Sequence, residues 1–164
     1  MSIEVETYET LGEAGRALGR DGRYLGGGTL VMRAVNYGDQ SFRRIIIARD
    51  PGLKRITAAG ERIEIGAGAT MADIIASRDA SFLAPVARQV GGPAIRIMAT
   101  VGGNLFAAHP YGDFAAALLA LDGRARMADG RDAPLDQLFA ERTRGGGNGG
   151  GGGLVQSVSI ARPR

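Results

Sequence analysis

The sequence predicts a fold of mixed helices and strands: a small β-α-β unit, then a longer stretch built around a hairpin. Three observations predict it. Strand, glycine turn, helix and β-branched strand follow one another from Arg23 to Ala48. Residues 56–66 read as two short arms around Gly60-Glu61, the second of them, Arg62 to Ile65, alternating polar and apolar side chains. Beyond residue 110 a helical apolar run is followed by further strand-like segments separated by Asp-Gly turns.

Taken in order, residues 9–20 place Leu11, Ala14, Ala17 and Leu18 on one face of an amphipathic helix. Arg23-Tyr24-Leu25 is a strand that ends in Gly26-Gly27-Gly28, and Leu30 to Val35 is the helix leaving that turn. Arg44 to Ala48 is a buried strand closed by Asp50-Pro51-Gly52. Thr70 is placed to cap a helix from Met71 to Arg78, with Asp73 in its first turn. Phe82 to Val90 is a helix with Pro85 in its first turn, stopped by Gly91-Gly92-Pro93. Ile95 to Ala99 leads into a second glycine segment, with Arg96 read either as a phosphate ligand or as a side chain projecting from a strand. Asp113 to Leu121 is a buried helix, Arg124 to Ala128 a strand, Pro134 to Phe139 a short helix begun by its proline, and Leu154 to Ile160 a last strand. The low-complexity run from Gly145 to Gly153 fits no packed element and reads as a loop.

Composition narrows the chemistry. A chain of 164 residues with 45% hydrophobic and 23% charged side chains suits one domain or two small subdomains. No apolar run approaches the length of a membrane helix and the first residues are acidic, so a cytoplasmic location is expected. Lys54 is the one lysine; the arginines are scattered apart from Arg43-Arg44 and Arg142-Thr143-Arg144. With five Phe, four Tyr and no Trp there is no basic stripe interleaved with stacking rings, which argues against nucleic acid. The absence of cysteine excludes thiolate-held iron–sulfur clusters and thiol nucleophiles within these residues. One histidine, His109, rules out a His-rich zinc site, and no G-x-S-x-G elbow accompanies it. It is expected to neighbour the ligand without a catalytic role.

The candidate site rests on two glycine segments, Gly26-Gly27-Gly28-Thr29-Leu30 and Thr100-Val101-Gly102-Gly103-Asn104, with Asp113 nine residues beyond the second. Glycine pairs let backbone approach a ligand closely. The two segments are expected to bring two sets of N–H groups to one diphosphate, with side-chain hydrogen bonds from Thr29, Thr100 and Asn104 and a ribose contact from Asp113. Neither standard nucleotide fingerprint is present: Val31 stands where G-x-G-x-x-G needs its third small residue, and no G-x-x-x-x-G-K-[ST] occurs.

Tyr24 to Leu30 and Ile95 to Leu105, together with Ile65-Gly66-Ala67-Gly68-Ala69-Thr70 and Pro110-Tyr111-Gly112-Asp113-Phe114-Ala115, resemble the FAD-binding (medium) subunit of molybdenum hydroxylases. That family includes the carbon monoxide dehydrogenase medium subunit and the xanthine dehydrogenase flavin domain. The resemblance implies an α+β, two-subdomain FAD-binding fold of the vanillyl-alcohol-oxidase-like type. A small α/β piece, residues 1–55, and a larger antiparallel-sheet piece, residues 56–164, would clamp the dinucleotide. It further implies cofactor contacts from Leu25, Gly26, Gly27, Gly28, Thr29, Leu30, Val90, Thr100, Val101, Gly102, Gly103, Asn104, Asp113 and Leu154. The implied role is electron transfer from the [2Fe–2S] clusters of one partner subunit, fed by a molybdopterin subunit, through FAD to an acceptor. An assembly module and a stand-alone FAD oxidoreductase are the alternatives. The pattern departs from the family at Ile97, where an asparagine usually follows the arginine, in the Gly145–Gly153 run, and at Arg164, where the family continues into a C-terminal α/β domain.

Overall fold

The computed structural model describes residues 2–108, 111–144 and 153–162, so His109 and most of the glycine-rich run lie outside the described residues, as do the side chains of Arg142, Thr143 and Arg144. Three parallel strands open the chain: β1 (Glu4–Tyr8), β2 (Gly22–Tyr24) and β3 (Arg44–Ala48), in the order β1-β3-β2. Helices α1 (Leu11–Ala17) and α2 (Val31–Asn36) connect them. The β-branched run occupies the central strand because Ile45 and Ile46 are buried there. β1 is an addition to the sequence reading: its side chains are mostly exposed, Val5 among them, so it carries no strand periodicity. α1 starts at a capping box in which Glu13 N–H donates to Thr10 Oγ1 and Thr10 N–H donates to Glu13, at 3.2 and 3.0 Å. Leu11 and Ala14 of α1 pack with Ile46, Leu53 and Leu154 into a small core.

Arg44 fastens this sheet at one end. Its guanidinium donates to Glu6 (2.9 Å), to Asp21 (3.2 Å) and to the Ala17 carbonyl that ends α1 (2.8 Å). The Tyr8 hydroxyl first, then Arg44, holds the Glu6 carboxyl below its ordinary value, and Arg44 does the same for Asp21. Depressed carboxyl values give stability that is present above the unfolded-chain values and is lost as pH falls through the folded ones. Arg44→Met is therefore expected to lower the urea midpoint at pH 7, and the gap from wild type to narrow in strongly acidic buffer. A constant gap would contradict the assignment.

The second sheet has five antiparallel strands in the order β4-β5-β8-β6-β7: β4 (Ile56–Ala59), β5 (Arg62–Gly66), β6 (Arg124–Met127), β7 (Asp132–Pro134) and β8 (Val155–Ala161). β8 lies in the middle, pairing Ile160 with Ile63 of β5 and Val158 with Ala125 of β6. Alternation sends Ile63, Ile65, Ala125, Met127, Val158 and Ile160 into the main core. The opposite face is polar and cross-linked: Arg62 donates to Ser159, and Ser157 to Glu64.

Among the described residues six α-helices accompany this sheet: α3 (Met71–Ala76), α4 (Ala84–Ala87), α5 (Pro93–Arg96), α6 (Val101–Leu105), α7 (Asp113–Ala120) and α8 (Leu135–Arg144). They contribute Met71, Ile74, Leu105, Phe114 and Leu118 to the core. Three readings are corrected here. Pro134 ends an edge strand instead of starting a helix; an edge tolerates its missing N–H. Arg96 lies on a helical turn begun by Pro93, not on a strand. The second glycine segment is the first turn of α6, and neither Gly102 nor Gly103 has a positive φ.

Candidate functional site

The first glycine segment leaves the parallel sheet at Leu25, whose N–H still donates to the Ile46 carbonyl at 2.8 Å. From Gly26 to Thr29 the N–H groups donate to no other backbone carbonyl among the described residues. The chain reverses at Gly28, with φ +77°, and α2 begins as Met32 N–H donates to the Gly28 carbonyl at 2.9 Å. Gly28 is buried, Gly27 and Thr29 half-buried, Gly26 and Leu30 exposed. Buried donors left without partners would be costly, so a row of four on a half-open turn is a natural place for an anion.

The second segment lies against the first. A β-carbon on Gly27 would overlap the Met98 carbonyl group, and one on Gly26 would stand 3.0 Å from Thr100 Oγ1. Thr100, only 6% exposed, caps α6: its hydroxyl accepts from Gly103 N–H (3.1 Å) and its carbonyl from Asn104 N–H (2.9 Å). Val101 N–H donates to Ala69 and Gly102 N–H to Ala67, at 2.9 and 2.8 Å. All four donors at this helix start are thus matched inside the chain. The N–H groups of Val101 to Asn104 in the second segment are bonded within the chain, whereas those of Gly26 to Thr29 have no backbone acceptor among the described residues.

The remaining expected residues separate into two groups. Gly103 is exposed, and a β-carbon there would meet only Thr100 Oγ1, at 2.9 Å, outside its own helix backbone. Asp113 is the exposed first residue of α7, entered through Gly112 at φ +132°. Asn104 Oδ1 accepts from Ala115 N–H at 2.9 Å and so ties α6 to the first turn of α7. Val101 is fully buried in the main core, and Gly102 is pressed against Ala67. Val90 is half-buried against the main core. Leu154 is 9% exposed and belongs to the small core with Leu11 and Ala14. The structure therefore sets Gly26 and Gly27 against Thr100 and Met98, leaves Gly103 and Asp113 exposed, and sets the side chains of Val101, Val90 and Leu154 into packing.

Arg96 is occupied elsewhere: its guanidinium donates to the Arg88 and Gly91 carbonyls at 2.9 and 2.6 Å, closing the end of α4. Ile97 and Met98 are exposed beside the second segment, as are Leu30 and Met32 beside the first, so apolar surface flanks the donors. Burial, assisted by the charge of Asp50, pushes the Tyr24 hydroxyl up to about 12, so it stays neutral below the first turn. Sequence reasoning missed Arg33 of α2, which donates to the Tyr111 hydroxyl at 2.6 Å from 78 positions away. No spacing rule signals such a pair.

Over residues 2–160 the sequence matches the family described as FAD binding domain in molybdopterin dehydrogenase. No curated protein matches it. Among solved structures it is similar to carbon monoxide dehydrogenase from Hydrogenophaga pseudoflava, in a form lacking the Mo-pyranopterin moiety of the molybdenum cofactor, at 22% identity and TM-score 0.85. It is also similar to reconstituted CO dehydrogenase from Oligotropha carboxidovorans (24%, 0.79) and to quinoline 2-oxidoreductase from Pseudomonas putida 86 (18%, 0.76). These likenesses cover 99–100% of this chain and 60% of each of those chains, and at such identities they show a shared fold.

Proposed function

Because this chain belongs to the family of FAD-binding domains in molybdopterin dehydrogenases, we propose that it is the flavin-holding, electron-transfer part of a molybdenum hydroxylase. The observation that carries this reading is the row of N–H groups from Gly26 to Thr29, without backbone acceptors, on a turn packed against Met98 and Thr100. This donor set fits FAD: N–H groups suit a diphosphate, a glycine without a side chain allows close approach, and a carboxylate accepts from ribose hydroxyls. Bound FAD supplies the redox chemistry, passing electrons singly or in pairs.

In this proposal Leu25 and Leu30 bound the first segment, and Gly26, Gly27, Gly28 and Thr29 hold the diphosphate. Gly103 leaves room for it and Asp113 orients the ribose. Thr100, Val101, Gly102 and Asn104 fix the wall, and Val90 and Leu154 support it from the cores. The two subdomains are placed at residues 1–55 and 56–164, with the cofactor between them. No cysteine occurs in these 164 residues, so the proposed [2Fe–2S] clusters lie outside them, and the molybdopterin centre is assigned to a separate partner subunit. We place the complex in the cytoplasm. Among the described residues no helix is long and apolar enough to cross a membrane.

The test is to titrate the purified chain with FAD and follow the flavin spectrum and fluorescence. One FAD per chain is expected, and Asp113→Ala should weaken binding about tenfold, the worth of one hydrogen bond to a charged group. Reduction of that bound flavin by a reduced [2Fe–2S] protein would support the electron-transfer role. A chain that takes up no FAD would overturn the proposal.

A further inference from the structure

A diphosphate ester is doubly anionic, and backbone N–H groups hydrogen-bond it without neutralising it. The first turn of α6 adds nothing here, because its donors are matched internally. A cation near Gly26 to Thr29 would strengthen the hold on such a group. Arg33 is the third residue of α2, so its backbone lies in the first helical turn after the glycine segment, while its guanidinium rests beside Tyr37 and Tyr111.

The guanidinium of Arg33 is held in an unusual way. It stands 5.6 Å from the centre of the Tyr37 ring and 5.7 Å from that of Tyr111. It also donates to the Tyr111 hydroxyl at 2.6 Å. Tyr37 is 82% exposed and Tyr111 48% exposed, so neither ring is anchored in a core. Tyr111 lies two residues before Asp113. The Arg33–Tyr111 bond thus joins the helix leaving the first glycine segment to the loop that delivers Asp113.

The other contacts complete a circuit. Gly26 lies against Thr100, Thr100 caps α6, and Asn104 at its end holds the first turn of α7. Tyr111 then returns to α2 through Arg33. In this ring the exposed Arg33–Tyr111 bond is the link that opens without disturbing backbone. Its acceptor is a neutral hydroxyl, and a phosphate oxygen is a stronger partner for a guanidinium, which it engages in bidentate fashion.

We propose that Arg33 is a diphosphate-binding residue, parked on Tyr111 until a nucleoside diphosphate ester draws its guanidinium onto the first glycine turn. This rests on the FAD reading given above. Cation–π contact with Tyr37 and Tyr111 already restricts the guanidinium, so little further side-chain freedom is lost when it transfers. The hydrogen bond to Tyr111 also holds Arg33 protonated, its value raised further above the ordinary one.

The experiment measures affinity of the whole chain for FAD, ADP and riboflavin, with Arg33→Met, Arg33→Lys and Tyr111→Phe. Arg33→Met should weaken FAD and ADP about ten- to hundredfold and leave riboflavin, which has no phosphate, unchanged. Arg33→Lys should fall between. Tyr111→Phe keeps the ring but removes the competing acceptor, so FAD should bind a few-fold more tightly. Thermal melts should stay close to wild type, since both side chains are on the surface. Wild-type FAD affinity in Arg33→Met would overturn the proposal. So would equal weakening by Arg33→Met and Tyr111→Phe, which would make the pair a strap between elements. A wild-type chain that binds neither FAD nor ADP would overturn the FAD reading and the role of Arg33 together.

Discussion

Gly27→Ala is expected to destabilise the chain by about 3 kcal/mol, the upper end of the cost of forcing an atom into packed structure. The added β-carbon would overlap the Met98 carbonyl group, which is backbone and cannot swing aside as a side chain would. Met98 immediately precedes Ala99 and Thr100, and Ala99 is tied to α3 by accepting from Met71 N–H at 2.9 Å. The strain therefore pushes apart the two glycine segments or breaks the start of α6. Urea denaturation followed by circular dichroism measures it, and FAD binding should disappear with the fold at modest denaturant. A variant as stable as wild type would show that the two segments do not meet as described.

Gly103→Val should separate binding from folding in the opposite sense. Outside the helix backbone only Thr100 Oγ1 lies within reach of the new β-carbon, so the cap is disturbed but no core is invaded. A weakened cap costs about 1 kcal/mol, partly offset because glycine is itself a poor helix residue by up to about 1 kcal/mol. Stability should change little. FAD affinity should fall at least about a hundredfold, because the valine branches stand on the exposed surface where the diphosphate approaches. Equilibrium dialysis with FAD beside a thermal melt checks both halves. Unchanged flavin content would move the cofactor away from α6. The two glycines look alike in sequence, yet one keeps backbone segments together and the other keeps a surface clear.

Much of this architecture is legible from local pattern. The β-branched strand Ile45-Ile46-Ile47, the hairpin around Gly60, the Thr70–Asp73 cap and the last strand appear where periodicity and capping chemistry place them. Elements whose signal is weak were harder to see. β1 is an exposed edge without apolar alternation, and Pro134 has the same local look at a helix start as at the end of an edge strand. The candidate site was legible as two glycine segments and an aspartate, because glycine marks close approach. The difference between their donors was not. Whether an N–H is matched depends on Ala67 and Ala69, some thirty residues earlier, and Arg33 meets Tyr111, 78 positions away, only once the chain has folded.

In the proposed site the first glycine segment supplies the anion-binding donors, while the second has its own already matched. Amide NMR of the 17.0 kDa chain, with and without FAD, tests this division most directly. The amides of Gly26 to Thr29 should exchange fast without ligand, then shift and become protected when FAD is added. Those of Val101 and Gly102 should be protected throughout. Unshifted, fast-exchanging Gly26 to Thr29 amides in the presence of bound FAD would contradict it.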